Sequence, residues 1–326
     1  MARMSRKRRL ARLTRPIRYR LLTPILEALR ATLAFLPHGL ALTLGRWTGR
    51  VAWLACGGVR RLAQRQLAQS GVGAHDAGRR RITRRMFEAL GMNALEWLHA
   101  TGWTDQQVRR NVVFERPDQI QSLLDSGHGL LIITAHMGNW ELLPRAFRLN
   151  FGHPVSLVMA GLRDRRLTQW IVRLREIGGN RVITTEEGAL APMRVLRRGG
   201  ALGILADQDT TRGRGLFVDF FGRPAYTPAG PAHLLQRSDI ALLPLIIHRD
   251  PLRPYRHVIH SGTLIQADPQ APEEKVIRRI TQAYTRQIED QIRAWPEQWA
   301  WLHDRWRRQP GQRIRVRATG RRSMAN

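Results

Sequence analysis

His136 and Glu141 are the residues whose types and spacing most directly suggest chemistry. They lie in TAHMGNWE, residues 134–141, directly after the apolar run GLLIIT. Five residues of straight helix turn through about 500°, which leaves two side chains about 140° apart and off any common face. Across a strand-to-helix turn, with Gly138 allowing a tight backbone, the two can meet. A carboxylate bonded to Nδ1–H would fix the imidazole tautomer and leave Nε2 as a general base. The helix start would also offer N–H groups to an anion or a developing oxyanion. The spacing equally fits a histidine packed under a helix with Glu141 in solvent, and His-x4-Glu alone does not choose between them.

The elements that must position these residues follow from the apolar pattern. Short runs alternate with helical stretches: GLLIIT (129–134), PVSLVM (154–159), RVITT, ALGILA (201–206), IALLPLII (240–247) and RHVIHS (256–261) read as strands. Such alternation predicts an α/β domain, a single catalytic unit with a central mixed sheet flanked by helices. Before it, Ile82, Met86, Leu90, Leu95 and Leu98 sit near helical spacing, and residues 58–80 read as a polar, arginine-rich connector with a turn at GVGAHDAG. A last helix is expected from about Glu273 to Ala294. The expected division is a basic, membrane-associated helical segment over 1–60, a catalytic domain over 61–308 and a disordered basic tail over 309–326.

The chain of 326 residues carries a formal net charge of +29, with 54 Lys+Arg against 25 Asp+Glu. Nine basic residues and no acid fall within 1–20, and eight more within 305–322. That imbalance points to nucleic acid, anionic lipid or an acidic protein as a partner. A solvated arginine-rich surface with no specific partner is the plainer reading. The single cysteine, Cys56, excludes an internal disulfide framework and a cysteine-rich zinc site. From Leu21 to Gly57 the chain is apolar but broken by Glu27, Arg30, Pro37, His38, Arg46 and Arg50. Two helices meeting at Pro37 are expected, too punctuated to span a bilayer and suited to a shallow anchor; a buried helical hairpin is the alternative.

The order of blocks from TAHMGNWE through LADQDTTRGRGLFVDFFGRPAYTPAG and ALLPL to WPEQWAWLHDRWRR resembles the bacterial lipid A biosynthesis acyltransferases. These are the late, lauroyl- or myristoyl-transferring enzymes within the lysophospholipid acyltransferase superfamily. The similarity runs over roughly residues 15–308. It implies transfer of an acyl chain from acyl carrier protein, or from acyl-CoA, to a hydroxyl of a phosphorylated glycolipid at the cytoplasmic face of the inner membrane. It also implies catalysis by His136 and Glu141 without metal or cofactor. Anionic membrane lipid and the glycolipid acceptor are the other expected partners, and nucleic acid is not.

The resemblance brings further residues toward the cleft. Gly138 and Asn139 belong to the catalytic block. Asp207 and Asp209 follow a strand end, where α/β sites collect, as polar wall or orienting groups or simply as a loop cap. Arg212, Arg214 and Arg223 could bind phosphate bidentately or form a solvated basic loop. Phe217, Phe220, Phe221 and Gly222 fit an apolar wall beside the acyl chain, or core. Trp295, Trp299, Trp301 and Trp306 among arginines suit a headgroup-level belt or a structural cap.

Two departures stand out. Where the family usually shows Arg-Pro and a later Asn, this chain reads MAGLRDRR, with Ala160 and Asp164 at those positions. Arg163, Arg165 or Arg166 would have to supply the missing charge. The family's frequent Asn-Leu appears as Gln66-Leu67. The alternatives are a sister activity on a lysophospholipid or another glycolipid and, more remotely, a non-catalytic basic protein binding membrane or nucleic acid.

Overall fold

Gly129–Thr134 is an unbroken run of apolar and small residues, and all six are buried, as expected for a strand covered on both faces. In the computed structural model, which describes residues 22–162, 164–188, 190–210, 215–237, 239–268 and 270–312, this run is the central strand of a seven-stranded sheet. The strands are β1 (Val112–Phe114), β2 (Gly129–Thr134), β3 (Val155–Met159), β4 (Arg181–Thr184), β5 (Ala201–Leu205), β6 (Gly215–Phe220), β7 (Arg223–Pro228), β8 (Ile240–Arg249) and β9 (His257–Ser261). Seven of them form a sheet in the order β1-β9-β8-β2-β5-β3-β4, and β6 and β7 form a separate hairpin. The pairs β2–β5, β2–β8, β3–β5, β3–β4 and β1–β9 are parallel, whereas β8–β9 is antiparallel.

The helices are α1 (22–35), α2 (His38–Ala55), α3 (Gly57–Gln69), α4 (Asp76–Ala100), α5 (Asp105–Asn111), α6 (Pro117–Asp125), α7 (Leu143–Phe151), α8 (Arg165–Glu176), α9 (Leu190–Arg197), α10 (Gly230–Gln236) and α11 (Glu273–Ala294). Side chains alternate across β2. Leu131 and Ile133 join a core with Met86, Tyr284 and Ile288, while Leu130 and Ile132 join one with Ile120 and Phe147. The sheet is therefore a layer between two sets of helices, the α/β architecture expected from the apolar runs.

The six strands expected from the sequence are present, and so is the helix Glu273–Ala294. Helices α1 and α2 meet at Pro37, whose ring cannot continue a helix begun before it. Among the described residues no helix is long and apolar enough to cross a membrane. The expected connector over 58–80 is instead helix α3 to Gln69 followed by a turn. Its arginines lie outward while Ala63, Gln66 and Leu67 are buried; a narrow apolar stripe among many charges concealed the helix. The hairpin of β6 and β7 was likewise not foreseen. Its two-residue turn is Phe221-Gly222, with φ of 57° and 71°, the double left-handed geometry of a type I′ turn. The extreme basic segments, 1–21 and 313–326, lie outside the described residues.

Glycine sets how α2 lies on α4. A Cβ at Gly49 would come within 2.2 Å of the Phe87 carbonyl oxygen, and one at Gly91 within 2.2 Å of that of Gly45. Backbones that close exclude any larger residue, so one face of α2 is pressed onto α4.

Candidate active site

The register of two parallel strands builds the centre of the site. Thr134 pairs with Leu205 at the carboxyl ends of β2 and β5, and the ladder continues with Ala206 N–H donating to the Thr134 carbonyl, 3.1 Å. His136 and Asp207 each lie two residues beyond those ends and so face one another. His136 Nδ1 is 2.9 Å from Asp207 Oδ1, and the backbone N–H of His136 donates to Oδ2 at 3.0 Å. Trp299 Nε1 donates to the same Oδ2 at 2.8 Å.

Asp207 is fully buried, which by itself would raise its pKa. The charge and hydrogen bonds of His136, with help from Trp299, prevail and lower it to about 2. An ionised carboxylate only accepts, so Nδ1 carries the proton and neutral His136 presents Nε2 as a base. Burial also pushes the His136 pKa down. Asp207 and, less strongly, Glu141 outweigh burial and the opposing Arg175, so the net shift is upward. The imidazole side chain remains 27% exposed and meets Trp140 edge-on at 5.2 Å.

Glu141 was expected to orient His136, and the geometry corrects this. Its carboxylate is held by Arg175 of α8, with Nε donating at 2.8 Å and Nη2 at 2.6 Å. Trp140 Nε1 adds a third bond at 3.1 Å. Glu141 is the middle residue of the short 3₁₀ turn Trp140–Leu142 that leads into α7, and that turn aims it at α8. The partner of Nδ1 arrives instead from the strand paired with β2.

The block's Gly138 and Asn139 hold the loop from beneath. Gly138 has φ of 55°, and a Cβ there would lie 2.3 Å from the Ile247 carbonyl oxygen. Its N–H donates to the Gln298 carbonyl at 2.9 Å, and its carbonyl accepts from Asn93 Nδ2 at 2.7 Å. Asn139 is buried, and its Nδ2 donates to Glu96 Oε2 at 2.8 Å. Glu96 is itself buried and also accepts from His38, Arg249 and His257 at 2.6–3.0 Å. Burial alone would raise this carboxyl, but Arg249 and His257 hold it well below the ordinary value. Neither Arg175 nor the Glu96–Arg249 group was singled out from sequence, because partners 34 and 153 residues apart leave no local signal.

Asp209 forms no wall with Asp207. It takes His303 at 2.5 Å and Arg307 at 2.8 Å and 2.9 Å, with Arg308 Nε 3.2 Å away, so it ties down the C-terminal arginine segment. Phe220 and Phe221 are core residues packed edge-on or tilted against Trp299, Trp301 and Trp306. They have no free face for a substrate chain, and Gly222 serves the hairpin turn. The same three tryptophans are buried, so they cap the site and do not form a headgroup belt. Arg166 and Arg223 are exposed. Asp164 caps α8 by accepting from Leu167 N–H at 2.8 Å, a local role that explains an aspartate at that position. Arg163, Arg212 and Arg214 lie outside the described residues.

A narrow apolar cleft is lined by Thr134, Trp140, Leu143, Val158, Gly203 and Leu205, and Trp140 separates it from His136. A second, lined by Trp97, Ala100, Trp103 and Leu174, adjoins it; Glu141 and Arg175 border both.

Comparison with known proteins gives a consistent picture. Residues 13–308 match the family described as bacterial lipid A biosynthesis acyltransferase. A phosphatidylinositol mannoside acyltransferase of Mycolicibacterium smegmatis is 29% identical over 194 residues, 58% of this chain and 60% of that one. The lipid A biosynthesis palmitoleoyltransferase of Escherichia coli is 24% identical over 69% of this chain and 71% of its own length. The lipid A biosynthesis lauroyltransferase of Escherichia coli is 22% identical over 84% and 88%. The match to the mycobacterial relatives thus spans about three fifths of their length.

Proposed function

The chain belongs to the bacterial lipid A biosynthesis acyltransferase family, and from that premise we propose that it transfers a fatty acyl group from a thioester to a hydroxyl of a phosphorylated glycolipid. The observation that carries this reading is the His136–Asp207 pair at the carboxyl ends of two adjacent parallel strands, where α/β sites collect. Nε2 of His136 takes the acceptor's hydroxyl proton as its oxygen attacks the thioester carbonyl. The C–S bond then breaks, the new ester forms, and the departing thiolate receives the proton from the imidazolium. Base assistance of this kind is worth about 10²–10⁴ in rate. Asp207 holds the tautomer and stabilises the imidazolium; Glu141 and Arg175 set the charge beside it.

Acyl carrier protein is the donor in this reading, the acceptor is a lipid A precursor, and the reaction belongs at the cytoplasmic face of the inner membrane. A second acceptor, a phospholipid-linked mannoside or related glycolipid, is supported by the relative at 29% identity and by Ala160, where the family's arginine is missing. The test incubates the protein and His136→Ala with acyl carrier protein thioesters and a tetraacylated lipid A precursor, with mass spectrometry of the lipid. Acyl addition by the wild type alone supports the assignment. Transfer only to another acceptor keeps the dyad and overturns lipid A.

A further inference from the structure

Behind the catalytic loop lies a buried polar cluster centred on Glu96 of α4, whose side chain is wholly buried. Its Oε1 accepts from His38 Nε2 at 2.8 Å and from Arg249 Nη1 at 3.0 Å. Its Oε2 accepts from Arg249 Nη2 at 2.6 Å, His257 Nε2 at 2.8 Å and Asn139 Nδ2 at 2.8 Å. Asn93, three residues earlier and on the same side of α4, donates to the Gly138 carbonyl at 2.7 Å and accepts from Arg249 Nη2 at 2.9 Å. Two side chains of one helix therefore grip the loop just past His136, and Arg249 braces both of them.

His38 brings the N-terminal helices into this cluster. It is the first residue of α2, and because ionised Glu96 only accepts, His38 Nε2 carries the proton. Neighbouring rings fix the imidazole. It stacks on His99 with centroids 5.3 Å apart, meets Trp103 edge-on at 5.1 Å and lies tilted against Tyr255 at 5.1 Å. His99 Nδ1 in turn donates to the Leu33 carbonyl at 2.7 Å, which ties down the end of α1 just before the Pro37 elbow. A glutamate carboxylate turns readily about its last torsion, so its donors decide where the two oxygens point. Without His38, the charged donor Arg249 and its neighbour His257 draw the carboxylate toward β8 and β9 and away from Asn139. We propose that His38 is a positioning residue for acyl transfer: through Glu96 it fixes Asn139, and with it the loop that carries His136. The junction of α1 and α2 is thereby part of the support of the catalytic centre. This inference rests on His136 being the base of the reaction proposed above.

The experiment compares two variants of the full chain. His38→Phe keeps a ring among His99, Trp103 and Tyr255 but has no donor, whereas the amide of His38→Gln can donate to Glu96 from nearly the same place. Hydrogen exchange read by mass spectrometry needs no turnover. Peptides containing Gly138, whose N–H donates to the Gln298 carbonyl, are expected to exchange at least about tenfold faster in His38→Phe, and at the wild-type rate in His38→Gln. In steady-state acyl transfer, His38→Phe is expected to lose at least about tenfold in kcat with KM within about twofold, since a shift of about 1 Å can cost about a hundredfold. His38→Gln is expected to restore most of that loss. His38→Phe/Asn139→Ala is expected to be no slower than Asn139→Ala alone, because both changes act through one contact. Unchanged exchange at Gly138 in His38→Phe overturns the proposal. So does an equal loss of kcat in His38→Phe and His38→Gln, or additive losses in the double variant. If His136→Ala keeps the wild-type rate, the reaction reading fails instead, and the exchange comparison alone decides whether His38 holds the loop.

Discussion

His136 Nδ1 and Asp207 Oδ1 lie 2.9 Å apart because two parallel strands end in register and each chain continues for two residues. The contact is backbone-determined on both sides. The Asp207 carboxylate also accepts the His136 N–H and the Trp299 indole N–H, so its position does not depend on the imidazole alone. Asp207→Asn keeps the shape but supplies an amide that can donate as well as accept, so the favoured tautomer is lost. Acyl transfer is expected to fall about 10²–10⁴-fold in kcat, with a small change in KM. Steady-state kinetics of Asp207→Asn on a defined thioester and acceptor check this.

The pH dependence follows from the same pair. The base must be neutral, and the His136 pKa is raised above its ordinary 6.5, so the acid limb of kcat/KM is expected above that value. Asp207→Asn removes the main raising influence while burial remains, and the limb should move down. Glu141→Gln should also move it down, by less, and Arg175→Met should move it up, because these charges act in opposite directions. A pH–rate series on the three variants tests the order; a limb unmoved by Asp207→Asn would remove His136 as the titrating base.

Glu141 and Arg175 are only 11% and 15% exposed at their side chains. Removing either partner strands the other charge in a poorly solvated place, at a cost of about 3 kcal/mol. The double variant Glu141→Gln/Arg175→Met strands neither and is expected to recover at least half of that loss. Urea denaturation of the two singles and the double closes the cycle; additive losses would show that the two groups do not act as a pair.

Glu96 predicts a separate acid sensitivity. Its folded pKa lies well below 4.5 and its unfolded pKa is near 4.5, so protonation favours the unfolded chain. The stability it contributes is present in full above its unfolded pKa and is lost as pH falls through the folded value. Glu96→Gln should flatten that acid dependence and, because Asn139 loses an ionised acceptor, should also lower kcat more than it changes KM. Denaturant midpoints measured across the acid range decide the first point. Steady-state rates decide the second.

Much of this was legible in the chain, and the part that was not has a physical reason. Apolar runs such as GLLIIT and ALGILA announce strands by themselves, and His136 and Asp207 were visible just past their ends. What stayed hidden was that β2 and β5 are neighbours in register, a tertiary fact with no local signature. The nearest carboxylate in sequence, Glu141, therefore looked like the orienter. Phe220 and Phe221 were read beside a substrate because aromatic clusters in core and cleft have the same composition; only the packing of Trp299 and Trp306 over them tells the two apart. Ala160 and Asp164 could be read as departures, but the capping role of Asp164 appears only with α8 in place.

Gly138 offers the sharpest single-residue test of the loop. Its φ of 55° is left-handed, a region costly to a residue with a Cβ. Space is lacking as well, since the added carbon would lie 2.3 Å from the Ile247 oxygen and 2.9 Å from the His248 Cα, both on strand β8. Backbone on that side leaves no flexible side chain to yield. Gly138→Ala must therefore shift the loop away from β8, straining the bonds to Gln298 and Asn93 and displacing His136 two residues earlier. The expected result is a loss of acyl transfer of at least about a hundredfold, since misplacement by about 1 Å can cost that much, together with destabilisation of about 1–3 kcal/mol. Gly222→Ala supplies the comparison. Its φ of 71° is also left-handed, but nothing lies within 4 Å of the added carbon, so it should lose some stability and keep its rate. Equal losses of rate in both variants would mean that the Gly138 loop does not control the position of His136.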